Sequence, residues 1–163
     1  RCGVITGPWQ MGKIDQGVAV LWMAAHIFGK ELAYIGYGGQ GKQVRDLMHI
    51  DDLFNALDIQ MKDFNKFNSG VYNLGGGLEN SLSLREMTDI CENISGNKIK
   101  INFVPENRSN DIRIYISDCS KFRDMTGWRC QKNTTEIFSD IYKWIIEHRI
   151  ELEKKIIYYH SGA

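Results

Sequence analysis

The sequence predicts an α/β protein, because short apolar runs that end at glycine or proline alternate with longer segments of helical periodicity. Val4-Ile5-Thr6 stops at Gly7-Pro8, as a short buried strand does. Residues 18–28 are apolar at helical spacing and end at Gly29, a common helix terminator. The 163 residues are enough for one domain, and we find no internal repeat or low-complexity linker.

The later elements follow from the same periodicities. Strands are predicted at residues 32–35, 71–74 and 99–104, and helices at residues 52–61, 84–95 and 134–154. Ser83 and Glu86 have the spacing of a capping box, and Asn133 or Thr134 precedes the last helix in a similar way. Residues 36–41 contain four glycines and predict a turn, whereas residues 64–70 predict a polar loop.

Composition excludes several classes of function. Lys+Arg and Asp+Glu are both 20, so the net charge is zero and a general nucleic-acid binder is not expected. No apolar run approaches the ~20 residues that span a bilayer. The four cysteines show no Cys-x-x-Cys pair, which disfavours a zinc site. Without a signal peptide we expect a cytoplasmic protein, and the opening on Arg1 instead of Met suggests a fragment.

The most informative stretch covers residues 43–57. Arg45 follows the glycine-rich turn, an apolar run comes next, and two carboxylates then precede a helix. The planar guanidinium group of an arginine suits a phosphate or carboxylate. Asp51 or Asp52 is expected to cap the helix. The simpler alternative is a surface Arg45 that pairs with Asp46 and contributes little.

Three segments carry a family resemblance. Residues 45–52 resemble an R-D-x-x-H-V-x-D motif, residues 72–75 a Y-N-x-G motif, and residues 105–111 a P-x-x-R-x-x-D motif. These motifs are similar to those of the extended short-chain dehydrogenase/reductase family of nucleotide-sugar epimerases and dehydratases. The resemblance covers almost the whole chain. It implies that residues 1–163 form the C-terminal substrate-binding lobe of such an enzyme, with elements that return to an absent Rossmann lobe.

Residues 1–17 resemble one branch of this family, the CDP-paratose 2-epimerases. The resemblance implies a transient NAD-dependent oxidation at C2 of the sugar. Val4 stands where the family often has an asparagine that touches the sugar, so that contact is absent or moved. A UDP-glucose 4-epimerase, a sugar-nucleotide 4,6-dehydratase and a non-catalytic binding fragment remain alternatives.

The resemblance also implies roles for individual residues. The partner is a nucleotide-diphosphate sugar, and the intact enzyme is expected to be a homo-oligomer. Arg45 and Arg108 would clamp the diphosphate, and Asp111 would lie near the ribose. Gln16, Gly17 and Val18 would start a helix over the diphosphate. Leu32, Ala33 and Tyr34 would form the strand beside the base. Cys2 and Gly3 would lie near the nicotinamide of NAD.

The catalytic signature of the family is missing from this sequence. None of the seven tyrosines is followed by lysine at the fourth position, and the G-x-G-x-x-G fingerprint is absent. The resemblance therefore implies that NAD is bound mainly by an N-terminal part and that the fragment alone is inactive. We also expect the helix at 52–61 and the strand at 71–74 to lack a partner sheet, which leaves apolar area exposed.

Overall fold

The computed structural model describes residues 1–12, 16–67, 70–109 and 111–160, and its mixed α/β architecture confirms the predicted fold class. The strands are β1 (Val4–Thr6), β2 (Leu32–Ile35), β3 (Val44–His49), β4 (Ser81–Ser83), β5 (Ile101–Val104) and β6 (Ile114–Tyr115). The helices are α1 (Val18–Phe28), α2 (Ile50–Lys62), α3 (Phe64–Phe67), α4 (Leu84–Ser95), α5 (Ser120–Thr126), α6 (Thr134–Glu147) and α7 (Arg149–His160). A 3-10 turn occupies Tyr37–Gly39.

Strand β3 is the centre of the larger sheet. It pairs in parallel with β1, where Leu47 lies opposite Val4, and in parallel with β6. It also pairs antiparallel with β4, where Arg45 lies opposite Leu82. Strands β2 and β5 form a separate parallel pair with Ala33 opposite Asn102. Each of these pairings joins segments that are distant in sequence. For example, β1 and β3 are separated by α1 and β2.

The two faces of β3 support two hydrophobic clusters, because side chains alternate between the faces of a strand. Leu47 is fully buried in the larger cluster with residues of α1, α4 and α6. Met48 is fully buried in the smaller cluster, which includes Phe67, Phe122 and Trp128. Burying a side chain of this size contributes about 1.5–3 kcal/mol. The strand therefore links both clusters and fixes their relative position.

Helix α1 lies inside the larger cluster, which explains why its sequence is apolar on nearly every side. Gly29 ends it in the left-handed region, with φ of 64°, and donates its backbone N–H to the carbonyl of Ala25. The helix has only 11 residues. Across the described ranges, no helix is both long enough and apolar enough to cross a membrane.

The start of α2 differs from the prediction. Neither Asp51 nor Asp52 caps the helix, because His49 is the N-cap and its Nδ1 accepts from the backbone N–H of Asp51 at 3.1 Å. The Asp52 carboxylate is buried and accepts instead from the backbone N–H groups of Gln131 at 2.9 Å and Lys132 at 3.4 Å. A buried carboxylate needs such donors, and this one ties α2 to the segment before α6.

Three other predictions were wrong in detail. The strand expected at 71–74 is reduced to a single bridge between Leu74 and Cys2. The polar loop at 64–70 contains the short helix α3, whose Phe67 is buried. The helix expected at 134–154 is interrupted at His148, where φ is −108° and the backbone leaves the helical region. Capping boxes at Ser83 and Asn133 are confirmed.

Helix α2 leaves an apolar stripe exposed. Ile50, Phe54, Leu57 and Met61 recur at helical spacing, and Phe54 and Met61 are 68% and 74% exposed. Ala56, which lies between these residues in the sequence, is buried. An exposed apolar stripe of this kind is unusual on a soluble monomer and marks a surface for contact.

The buried cap of α2 predicts a pH dependence of stability. Burial lowers the pKa of His49, and the charge of Lys132 lowers it further. The unfolded state then binds the proton more readily, so the free energy of unfolding falls as pH decreases below the ordinary value of 6.5. The variant His49→Asn keeps a good capping residue without the titration. We expect a flatter decline between pH 8 and 5 in urea titrations, and part of the remaining slope comes from His26, whose pKa is also lowered by burial. An unchanged slope in His49→Asn would contradict this account.

Candidate functional site

A cavity of about 920 Å³ opens beside β2, β3 and the start of α1. Its walls are formed by glycine backbone, aliphatic side chains and several charged groups. The lining residues are Gly3, Val4, Ile5, Gln10, Gln16, Gly17, Val18, Leu21, Trp22, Glu31, Leu32, Ala33, Ile35, Gln43, Arg45, Leu84, Asn102, Arg108 and Asp111. The volume is in the range of sites that hold a ligand of drug or cofactor size.

Two arginines from distant segments line this cavity. Arg45 comes from β3, and Arg108 comes from the segment between β5 and β6. The Nη2 atom of Arg45 donates to Oδ1 of Asp111 at 2.9 Å, and Nη1 donates to the carbonyl of Val44 at 2.8 Å. Arg45 thus pairs with Asp111, and the expected alternative of a pair with Asp46 is not what the structure shows. The two cations and this carboxylate lie on one surface.

The start of α1 contributes backbone donors to the same cavity. Gln16, Gly17 and Val18 line it, and Gly17 is the N-cap with φ of 70°. Among the described residues no side chain caps this helix, and its first turn contains no acidic residue. The N-terminus of a helix carries partial positive charge and favours anions. The arginines and this helix therefore supply groups that favour an anion, while Glu31 and Asp111 add two carboxylates to the same cavity.

The strand β2 forms a wall, but only part of it as predicted. Leu32 and Ala33 line the cavity, whereas Tyr34 does not. Tyr34 is buried on the same strand face as Leu32, where its hydroxyl donates to Oγ1 of Thr88 at 2.8 Å and its ring stacks on Trp22 with centroids 6.5 Å apart. Burial raises the pKa of Tyr34. The alternation of side chains along a strand separates Tyr34 from Ala33.

The two residues assigned to the nicotinamide occupy different environments. Gly3 lines the cavity, and a Cβ atom at this position would lie 2.5 Å from Oγ of Ser117, so that only glycine fits. Cys2 is exposed and does not line the cavity; its backbone forms an isolated β-bridge with Leu74. Val4 also lines the cavity, which places an apolar side chain where a polar contact to the sugar was considered.

Sequence reasoning missed several polar residues of the cavity. Gln43 precedes Arg45 by two positions, so strand periodicity alone places both on one face. Asn102 reaches the cavity because β5 pairs with β2, and no local signal reveals that pairing. Glu31 accepts from Nδ2 of Asn102 at 3.1 Å and from Nζ of Lys100 at 3.0 Å. Hydrogen bonds from Asn102 and Lys100 lower the pKa of Glu31.

Asp46, the residue next to Arg45, stabilises the site from the opposite face of β3. Asp46 is fully buried, and its Oδ2 accepts from the backbone N–H groups of Gly77 at 2.9 Å and Ser117 at 3.1 Å. The glycines before Gly77 allow this approach, since a Cβ atom on Gly76 would lie 2.1 Å from the carbonyl oxygen of Leu47. The triple glycine at 75–77 thus serves close packing against β3.

Three residues of the expected motifs lie outside the described residues. They are Lys13 and Asp15, which precede Gln16, and Asn110, which lies between Arg108 and Asp111.

Solved structures of nucleotide-sugar epimerases share this fold. The UDP-glucuronic acid 4-epimerase from Bacillus cereus, in complex with UDP-glucuronic acid and NAD, superposes with a TM-score of 0.77 and 20% sequence identity. The alignment covers 91% of this chain and 44% of that chain. This likeness shows that the chain shares the α/β fold of that structure.

Residues 1–75 match the model of the NAD dependent epimerase/dehydratase family. This part of the chain, just under half of its 163 residues, is therefore similar to that family. The CDP-paratose 2-epimerase of Salmonella typhi is 27% identical over 106 residues, which is 65% of this chain and 31% of the relative. The UDP-glucose 4-epimerase of Caenorhabditis elegans is 31% identical over 118 residues, which is 66% of this chain and 32% of the relative. In both alignments this chain spans about a third of the curated relative.

The neighbours Arg45 and Asp46 should respond differently to truncation. Asp46→Ala leaves two buried backbone donors without an acceptor, so we expect the free energy of unfolding to fall by about 2–4 kcal/mol. Arg45→Ala removes a partly solvated ion pair and should cost less than about 1 kcal/mol. Urea unfolding of the two variants measures both values. Equal losses would show that the Asp46 contacts do not anchor the site.

Proposed function

We propose that residues 1–163 are the C-terminal substrate-binding part of an NAD-dependent nucleotide-sugar epimerase and bind a nucleotide-diphosphate sugar in the cavity. The observation that carries this proposal is the presence of Arg45 and Arg108, from distant segments, on the wall of one cavity. Two guanidinium groups offset the charge of a diphosphate and bind its oxygens with paired donors.

The other cavity residues have complementary tasks in this proposal. The uncapped start of α1, at Gly17 and Val18, adds backbone donors for the diphosphate. Asp111 accepts from a ribose hydroxyl while it also holds Arg45. Leu32 and Ala33 provide an apolar surface for the base. Binding energy collected on the nucleotide then holds the substrate while the sugar turns within the site.

For the substrate we propose CDP-paratose, epimerised at C2. The motif similarity of residues 1–17 and the relative from Salmonella typhi support this choice. NAD, when bound, would supply the acceptor for a hydride from the sugar, and it would be held mainly by an N-terminal part that precedes these residues. Gly3 is the cavity residue that we assign to the nicotinamide side. UDP-glucose is the second candidate, since the relative from Caenorhabditis elegans has the higher identity of 31%.

Removing either arginine should weaken nucleotide binding strongly and change the stability of the fold little. In the intact gene product we expect Arg45→Ala and Arg108→Ala each to weaken CDP binding by about 10- to 100-fold, because each loses charge-assisted hydrogen bonds. Isothermal titration calorimetry measures the dissociation constants. Arg85→Ala removes an exposed arginine from α4 and is the matched control, which should bind as the wild type does.

The same preparation tests the substrate. Turnover of CDP-paratose with inversion at C2 would support the choice of substrate, whereas turnover of UDP-glucose alone would overturn it. Wild-type affinity for CDP in both arginine variants would contradict the proposed diphosphate site.

We further propose that the exposed stripe of α2 contacts the N-terminal NAD-binding part. Phe54 and Met61 are the most exposed members of the stripe, and Val71, which follows α3, is 56% exposed. These residues were expected to face a partner sheet. The short span of this chain within its relatives is consistent with a partner of about equal size or larger.

The stripe predicts self-association of residues 1–163 expressed alone. Phe54→Lys places a charge in the apolar stripe and should lower the average mass in sedimentation equilibrium. Asn55→Lys adds the same charge beside the stripe and should leave that mass unchanged. In the intact protein, Phe54→Lys should lower the melting temperature and Asn55→Lys should not. A monodisperse, cooperatively melting wild-type fragment would count against a docking role for α2.

A further inference from the structure

We infer that Tyr37 positions both arginines of the cavity, although it does not line the cavity itself. This inference rests on the proposed function, since it concerns how the diphosphate site is held in shape. Tyr37 begins the 3-10 turn after β2. The segment between β5 and β6, residues 105–113, carries Arg108 and Asp111 and lies against this turn.

Tyr37 contacts that segment through three separate groups. Its backbone N–H donates to Oδ1 of Asn107 at 2.6 Å. Its hydroxyl donates to the backbone carbonyl of Asp111 at 2.6 Å. The guanidinium carbon of Arg113 lies 5.9 Å from the centroid of its ring, within the range of a cation–π contact. One side chain and its own amide thus hold the segment at its beginning and near its end.

The contacts continue from Asp111 to the cavity. The carboxylate of Asp111 holds Nη2 of Arg45 at 2.9 Å, while the backbone carbonyl of the same residue accepts from Tyr37. The backbone N–H of Asp111 also donates to the carbonyl of Arg108 at 3.4 Å. A shift of Asp111 would therefore move the partner of Arg45 and the turn that carries Arg108 together.

The backbone of Tyr37 is strained, which points to a role for its side chain. Its φ is 50°, in the left-handed region that non-glycine residues seldom adopt. The neighbours Gly36, Gly38 and Gly39 have φ of 90°, 79° and 67° and adopt such values without a Cβ penalty. Local conformation alone would favour glycine at 37 as well. The contacts to Asn107, Asp111 and Arg113 offset the strain.

Two substitutions separate positioning from stability. Tyr37→Phe removes only the hydroxyl, so we expect CDP to bind about 3- to 10-fold more weakly, in line with the loss of one hydrogen bond. Tyr37→Gly removes the strain together with the ring, so we expect still weaker CDP binding at an unchanged or higher melting temperature. Cytidine lacks phosphates and keeps only the ribose contact to Asp111, so its affinity should change less than that of CDP in both variants. Calorimetry and thermal melts of the intact gene product give these values.

The control variant is Tyr72→Phe, which alters a tyrosine that packs on Phe67 and Phe122, remote from the cavity lining. It should bind CDP and cytidine as the wild type does. Wild-type CDP affinity in both Tyr37 variants would overturn the inference while the proposed diphosphate site stands. Equal losses for CDP and cytidine, together with a lower melting temperature, would show a structural role only and also overturn it. A wild-type protein that binds cytidine and CDP equally would refute the proposed diphosphate site and the inference together.

Discussion

Burial of the Asp46 carboxylate determines which face of β3 presents Arg45. The carboxylate meets two backbone donors, from Gly77 and Ser117, on the face opposite the cavity. A shift of one residue in the pairing of β3 would exchange the two faces, so that Arg45 would be buried among apolar side chains and Asp46 would lose both donors. The register that stabilises the sheet is therefore also the register that directs the guanidinium group into the cavity.

The motif that starts at Arg45 is mainly structural. Asp46 anchors the glycine loop, His49 caps α2, and Asp52 holds the backbone before α6. Among these polar residues, only Arg45 lines the cavity. The presence of such a motif therefore indicates the fold and one anion-binding group, but it says little about which sugar would bind. Selectivity must come from residues outside the motif, such as Val4 on the neighbouring strand β1.

Sequence patterns predicted the features that depend on a few neighbouring residues. The capping box at Ser83 and the termination of α1 at Gly29 are examples, because their hydrogen bonds close within one helical turn. The direction of Tyr34 could not be predicted, since it depends on which face of β2 meets Trp22 and the cavity. The presence of Asn102 in the cavity could not be predicted either, because it depends on the pairing of β5 with β2 across some 70 residues. The motifs placed Arg45 and Arg108 in one site only through the family resemblance.

The ion pair between Arg45 and Asp111 has a consequence for the kind of anion that the cavity favours. A ligand with one negative charge that approaches Arg45 meets a guanidinium group already satisfied by a carboxylate 2.9 Å away, and it is also repelled by that carboxylate. In the proposed binding mode, the second charged group of a diphosphate would reach Arg108 and the start of α1, which adds attraction to oppose the repulsion from Asp111. A ribose hydroxyl beside the same carboxylate would convert the remaining repulsion into a hydrogen bond. Under the proposed function, Asp111 would thus disfavour simple anions and favour a ligand that joins a diphosphate to a ribose.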